Sequence, residues 1–157
     1  MTIWVVLQLG GLYMIKNMEW LTKHVLAIYK KNPYVNLLDM NIVELDEGYA
    51  ELSMPIMHQH TNLYNIAHGG ALASLADTCM GVACTTTGKK VVTLEMNMNF
   101  IKSAAPQLGV RGIGKIIHNG KKTIVAEGQI LDGQNNIIAT SRGTFFVTGL
   151  FEEVIVE

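Results

Sequence analysis

The sequence has few charged residues and few cysteines, and both features exclude some classes of function. Charged residues make up 16% of the 157 residues and their formal sum is −1. No basic surface of the kind that binds nucleic acid is therefore predicted. The two cysteines, Cys79 and Cys84, lie five positions apart in one predicted helix. We interpret them as small core residues of a reduced, cytoplasmic protein, not as a disulfide or a metal-binding pair.

The apolar start of the chain does not have the features of a membrane or export signal. Residues 1–13 carry no charge, but they are too few to span a bilayer and have neither the basic start nor the cleavage site of a signal peptide. No membrane partner is predicted. Two interpretations stay open: an extra strand of the sheet, or a segment upstream of the true start at Met14 or Met18.

Length and apolar content predict one domain. Apolar residues supply 49% of the chain, enough for a core, and 157 residues are too few for two comfortable domains. We predict an apolar N-terminal extension at residues 1–17, a single domain at residues 18–148 and a C-terminal tail at residues 149–157.

The most informative stretch is residues 62–86, where a polar loop runs into a predicted helix. This helix is apolar around most of its circumference, which is typical of a buried helix. It nevertheless carries one acid, Asp77, and an unpaired buried charge is costly. One interpretation is that a neighbouring hydroxyl, such as that of Ser74 or Thr78, satisfies the carboxylate. The other is that Asp77 carries chemistry.

The start of the same helix has the features of an anion site. Gly69 and Gly70 fall in its first turn, where backbone N–H groups lack partners within the helix and the helix dipole is positive. Glycine lets a ligand approach the backbone closely, and such a turn can hold an oxyanion. Nine residues separate His68 from Asp77, about 13 Å along the axis. The two ends suit one site only if two copies of the helix pack antiparallel, which predicts a dimer.

The flanking segments predict an α+β domain in which one sheet wraps around the long helix. A short amphipathic helix covers residues 19–31 and ends before Pro33. His58 and His60 lie in the polar loop at residues 57–67 and are interpreted as solvated residues, not metal ligands. Residues 88–90 are predicted to form a turn. Strands are predicted at residues 35–45, 48–55, 92–100, 108–117, 123–131 and 137–147. Along residues 92–100, apolar residues alternate with a polar face that includes Thr93.

Three groups of residues together resemble one known family. Asn62, then His68-Gly69-Gly70, then Leu75-Ala76-Asp77 match the N-x5-HGG-x4-LAD pattern of the PaaI-type hotdog acyl-CoA thioesterases. Residues 92–100 are similar to the strand that follows the central helix in that family, and the resemblance covers roughly residues 18–148. It implies an α+β hotdog fold, hydrolysis of an acyl-CoA to free acid and CoA, and no metal or redox cofactor.

The resemblance also implies roles for five residues. Asp77 is the nucleophile or the general base, and the Gly69 N–H is the oxyanion donor. His68 polarises the carbonyl or positions the loop, Asn62 orients water or substrate, and Thr93 is a hydroxyl of the following strand. Asn62, His68 and Gly69 would come from one chain, and Asp77 and Thr93 from the other, in a homodimer or homotetramer.

Other functions stay open on the sequence alone. A non-catalytic acyl-CoA sensor would share the fold, as would an acyl-CoA hydratase or dehydratase, although the latter use a different His-and-acid motif that is not found here. The sequence does not identify the acyl group or the residues that bind the CoA nucleotide.

Overall fold

The computed structural model describes residues 18–106 and 109–151. The predicted extension at residues 1–17 and most of the predicted tail therefore lie outside the described residues. The elements in chain order are α1 (Met18–Lys30), α2 (Pro33–Leu37), β1 (Asn41–Asp46), β2 (Tyr49–Met54), a 3-10 turn (His58–His60), α3 (Gly69–Thr85), β3 (Lys89–Phe100), β4 (Val110–Asn119), β5 (Thr123–Asp132) and β6 (Ile137–Leu150).

The six strands form one antiparallel sheet in the order β1-β2-β4-β5-β6-β3. Helix α3 packs on one face of this sheet and contributes much of the core, including Leu75, Ala76 and Met80, which are fully buried. The predicted arrangement, one sheet wrapped around one buried helix in an α+β domain, is confirmed. Cys79 and Cys84 both lie in this core as free thiols.

Two glycines of β4 allow α3 to lie very close to the sheet. A Cβ atom on Gly114 would be 2.2 Å from the carbonyl oxygen of Cys79, and one on Gly112 would be 2.8 Å from Cγ of Leu75. The backbone of α3 thus occupies the space that a side chain at Gly114 would need. This close contact fixes the height of α3, and with it the position of Asp77, relative to the strands.

The prediction of a strand over residues 35–45 is wrong in its first half. Residues 33–37 form α2, because Asn32 caps a new helix directly after α1 ends. Its Oδ1 accepts hydrogen bonds from the backbone N–H groups of Tyr34, at 3.0 Å, and Val35, at 3.3 Å. Pro33 at the first helical position has no N–H to lose and has a φ that suits a helix. The strand β1 begins only at Asn41.

The turn predicted at residues 88–90 lies at residues 86–88 instead, and β3 already begins at Lys89. Gly88 alone adopts a left-handed φ of 78°. The ammonium of Lys89 is buried against the β4–β5 connection, where it donates to Oδ1 of Asn119, at 2.6 Å, and to the carbonyl oxygen of Gly120, at 3.0 Å. Desolvation lowers the pKa of Lys89.

A β-bulge in β3 breaks the predicted alternation of the strand. The register with β6 shifts between Thr93 and Glu95, so that Leu94 is an extra residue. Before the bulge, Thr93 lies opposite Phe145, which is buried on the helix-facing side of the sheet. The prediction that Thr93 shares the polar face is therefore wrong. After the bulge, Met96 and Met98 pack against the core, whereas Val92 and Leu94 are exposed.

Candidate active site

The bulge brings Thr93 against Asp77. The Thr93 hydroxyl donates a hydrogen bond of 2.8 Å to Oδ1 of Asp77. Asp77 is partly exposed, because it lies on the side of α3 that faces β3 and not the middle of the sheet. The hydroxyl that satisfies this carboxylate thus comes from the strand, not from Ser74 or Thr78 on the helix as the structural interpretation suggested. One oxygen of Asp77 is held in place, and the other has no hydrogen bond to a described side chain.

Asp77 and Thr93 open into a cavity of about 210 Å³. Its walls come from α1, α2, α3, β3 and β6, and most of them are apolar or aromatic. The lining residues are Tyr29, Asn32, Tyr34, Val35, Asp77, Thr78, Gly81, Val91, Val92, Thr93 and Phe145.

Two tyrosines of this cavity come from the N-terminal helices. Burial raises the pKa of Tyr29 to about 12, so its hydroxyl stays protonated at neutral pH. The hydroxyl oxygens of Tyr34 and Ser74 are 2.7 Å apart, and Ser74 donates its own proton to the carbonyl oxygen of Gly70 at 2.8 Å. Tyr34 is therefore the donor to Ser74. This chain of hydrogen bonds ties α2 to the first turn of α3.

The sequence interpretation did not include these tyrosines in the site. Asn32 and Pro33 predict the end of the first helix, but a capping residue followed by proline is also a typical helix start. That signal would have placed a second helix, and Tyr34 on it, beside α3.

Two other predicted site residues, His68 and Gly69, lie at the start of α3. His68 is the N-cap, and its Nδ1 accepts a hydrogen bond of 2.8 Å from the backbone N–H of Gly70. Gly69 is the first residue of the helix. It lines a separate cavity of about 320 Å³, together with Ile66, Ala67, Leu72, Phe100, Ile101, Lys102 and Ser103.

Asn62 holds the loop that leads to this turn. Its Oδ1 accepts from the backbone N–H groups of Tyr64, at 2.9 Å, and Ile66, at 3.4 Å. The backbone N–H of Asn62 donates to the carbonyl oxygen of Ile66 at 2.9 Å. In the single chain, these contacts make Asn62 a loop residue, and its amide nitrogen is not used by them.

The prediction that His60 is a solvated loop residue is wrong. Its side chain is 1% exposed, with Nδ1 at 2.7 Å from the carbonyl oxygen of Pro55, and its Nε2 is buried with no hydrogen-bond partner among the described residues. Its own carbonyl oxygen accepts from the backbone N–H of His68 at 2.8 Å. His60 thus supports the loop beneath His68. Over the described ranges, no three His, Cys, Asp or Glu side chains are close enough to hold a metal ion.

The five predicted residues therefore fall into two groups in one chain. Asp77 and Thr93 share one cavity, whereas Asn62, His68 and Gly69 lie at the start of α3, and the two cavities have no lining residue in common. Eight residues of helix separate Gly69 from Asp77, roughly 12 Å along the axis. The five predicted residues therefore do not meet at one point within a single chain.

Comparison with known proteins identifies the class. The sequence profile of the Thioesterase superfamily matches residues 64–139. The acyl-coenzyme A thioesterase PaaI of Escherichia coli is 30% identical over 124 residues, which span 79% of this chain and 87% of that protein. Its solved structure superimposes with a TM-score of 0.79 at 28% identity, covering 86% of this chain and 97% of that one. The fold and these matches define a hotdog-fold thioester hydrolase.

A further similar protein has been solved with a bound ligand, coenzyme A. A hypothetical thioesterase of Streptococcus pneumoniae, solved with coenzyme A, is 26% identical with a TM-score of 0.70 over 72% of this chain and 91% of that one. The same protein has been solved with alanine in place of an aspartate and, separately, of a threonine sixteen positions later. The chain described here belongs to the PaaI-type hotdog thioesterase family.

In the part of the chain that the structure describes, no helix is both long enough and apolar enough to cross a membrane.

Proposed function

We propose that this protein hydrolyses an acyl-CoA thioester to the free acid and CoA, at a site that two chains build together. The observation that carries the proposal is the Asp77 carboxylate, held by Thr93 in a cavity that both polar and apolar side chains line. The CoA-bound structure of the streptococcal relative supports coenzyme A as the carrier. The aspartate and threonine substituted in that relative have the same separation, sixteen positions, as Asp77 and Thr93.

Asp77 can promote cleavage of the thioester in two ways. Its free oxygen can add to the carbonyl carbon, which expels the CoA thiolate and leaves a mixed anhydride that water then hydrolyses. Alternatively, it can take a proton from a water molecule that attacks the same carbon. In either case the Thr93 hydrogen bond fixes the rotamer of the carboxylate, which is what a positioned nucleophile or base requires. Both routes stay open.

The Gly69 N–H is the donor we propose for the thioester oxygen. Gly69 is the first residue of α3, and the N–H groups of a helix's first turn have no acceptor within the helix. Gly69 lines the second cavity beside the ring of Phe100, whose Cζ would be 3.3 Å from a Cβ at this position, so glycine leaves more room for a carbonyl there than any other residue would. As the carbonyl oxygen gains negative charge, this donor and the positive end of the helix dipole stabilise it. His68 holds the turn through its bond to Gly70.

Two observations support a site shared between chains: the distance between Gly69 and Asp77 within one chain, and the exposed edge of the sheet. Strand β3 is the last strand of the sheet and pairs with β6 alone among the described strands. Its Leu94 is 58% exposed, and Val92 is 51% exposed. A second copy that packs along this edge would cover both, and would bring one chain's Gly69 to its partner's Asp77. We propose a homodimer as the minimal unit, alone or within a homotetramer, in the reducing cytoplasm where its two thiols stay free.

The first experiment is thiol release from a panel of acyl-CoA esters by the wild type and by Asp77→Ala. The panel contains acetyl, hexanoyl, palmitoyl, benzoyl and phenylacetyl esters. We expect turnover by the wild type and a loss of at least about 1,000-fold in kcat for the variant, with the oligomer intact by size-exclusion chromatography. Tight acyl-CoA binding without turnover by the wild type would instead identify a sensor. Full turnover by Asp77→Ala would move the chemistry to another residue.

A matched pair of substitutions tests the oxyanion donor. Gly69→Pro removes this one N–H, and proline is well tolerated at the first position of a helix. His68 already has the extended backbone, with ψ at 133°, that the residue before a proline prefers. We expect kcat to fall by roughly 100- to 1,000-fold in Gly69→Pro. Gly69→Ala keeps the N–H, and its Cβ would lie 3.3 Å from Cζ of Phe100, an exposed ring that can move by a few tenths of an ångström. We expect a much smaller fall in kcat for this variant, so equal losses in both would contradict this role.

The same two inactive variants test whether the site is shared. A heterodimer of one Asp77→Ala chain and one Gly69→Pro chain, purified with two different affinity tags, contains one intact site if each site combines both chains. We expect it to regain about half of the wild-type activity per dimer, as two-fold symmetry requires. A site contained within one chain predicts no recovery.

A further inference from the structure

Gly81 is a glycine in the middle of α3 that the packing of the helix does not require. A Cβ atom built on it would lie 3.7 Å from Cε1 of Phe145, which is an ordinary van der Waals contact. Its backbone is helical and does not need a left-handed φ. Glycine is among the least favourable residues in a helix interior, and alanine is the most favourable. The position thus carries a cost to stability that neither packing nor backbone geometry explains.

Gly81 lies in the cavity of Asp77. It follows Asp77 by four residues, one helical turn, so the two positions share one face of α3. Both line the cavity of about 210 Å³ together with Thr93. A side chain at position 81 would project into this cavity beside the carboxylate and take up space there.

Three of the other lining side chains are held by packing or by a hydrogen bond. Phe145 is 1% exposed and Tyr29 is packed against the core. Tyr34 is held by its hydrogen bond to Ser74. A side chain at position 81 would therefore take up cavity volume next to Asp77 without a steric clash, since its Cβ would meet only Phe145, at 3.7 Å.

We propose that Gly81 sets the largest acyl group that this enzyme accepts, an inference that rests on the thioesterase function proposed above. A cavity of roughly 150 Å³ holds one benzene molecule. The cavity of about 210 Å³ therefore takes a single ring with a short linker, or an aliphatic chain of similar bulk. A long aliphatic chain would have to extend beyond this cavity. Gly81 is a specificity-determining residue in this proposal, not a catalytic one.

The test compares Gly81→Ala and Gly81→Val with the wild type. The ratio of kcat/KM for hexanoyl-CoA to that for acetyl-CoA, and the same ratio for phenylacetyl-CoA, are measured. One methylene of misfit in an apolar pocket changes kcat/KM by roughly 10- to 200-fold. We expect both ratios to fall by at least about 10-fold in Gly81→Ala and further in Gly81→Val. The wild type is expected to disfavour palmitoyl-CoA relative to hexanoyl-CoA.

Thermal stability separates this role from a structural one. Gly81→Ala improves helix propensity and is expected to raise Tm by about 2–4 °C, whereas valine gains less. Selectivity should follow the volume of the side chain, and stability should follow its helix propensity. Gly149→Ala, a site with no atom within 4 Å of the new Cβ, is the control and should leave the ratios unchanged.

Two failures are distinguishable in this design. If the wild type hydrolyses none of the esters, the thioesterase proposal itself is wrong. If it hydrolyses them and the two variants keep the wild-type ratios, or if it accepts palmitoyl-CoA as well as hexanoyl-CoA, then Gly81 does not limit the acyl group.

Discussion

The contact between α3 and β4 predicts a large effect for one added methyl group. In Gly114→Ala the new Cβ would lie 2.2 Å from the carbonyl oxygen and 2.4 Å from the carbonyl carbon of Cys79, both backbone atoms of α3. Because Cβ contacts below about 3.0 Å essentially do not occur, the helix must move by about 1 Å. Overpacking of this kind costs about 1–3 kcal/mol, and the upper end applies because backbone atoms cannot rotate away as a side chain can.

This cost should be measurable in both stability and activity. A loss of about 3 kcal/mol corresponds to a fall in Tm of about 6–12 °C for a chain of this length. A displacement of about 1 Å at the reacting groups lowers kcat by roughly 100-fold. Circular dichroism melts at a fixed protein concentration, with thiol release as the activity assay, measure both. Gly149→Ala is the matched control. A Tm for Gly114→Ala within 2 °C of the control would refute the reasoning about this contact.

Two further predictions concern Asp77's partner and the β5–β6 turn. Thr93→Val removes the hydrogen-bond donor to Asp77 and should lower kcat/KM by about 10- to 100-fold with little change in Tm. Thr93→Ser keeps a hydroxyl and should recover most of this activity. A kcat/KM for Thr93→Val within twofold of the wild type would contradict the proposed role of Thr93. Hydrogen bonds from Asn136 and Gln134 lower the pKa of Asp132. The stability they add is present above the unfolded pKa and lost as pH falls through the lower folded value, so the Tm advantage of wild type over Asp132→Asn should shrink below about pH 4.

The sequence was sufficient to predict those elements that local patterns determine. The apolar helix, its start at Gly69 and the four strands that follow it were all predicted, because each has a period or a turn signal within a few residues. The order of those elements left one compact solution, a sheet around the long helix. The motif from Asn62 to Asp77, together with the strand at residues 92–100, indicated the family that the comparisons confirm.

The errors arose where one signal had two meanings. Asn32-Pro33 was interpreted only as a stop, and it is also the start of α2, which carries Tyr34 into the cavity. A histidine in a polar loop was assigned to solvent, although His60 packs beneath His68 through contacts with Pro55, at the start of the loop. Neither contact is visible as a periodic pattern.

The bulge at Leu94 connects the remaining error with the proposed chemistry. A strand has a period of two, so one extra residue moves every side chain on one side of it to the opposite face. Without the bulge, Thr93 would lie on the outer face with Glu95, whose carboxylate accepts a hydrogen bond from Thr144. With it, Thr93 faces α3 and meets Asp77. The threonine in the motif is therefore useful only because an irregularity of the backbone turns it inward.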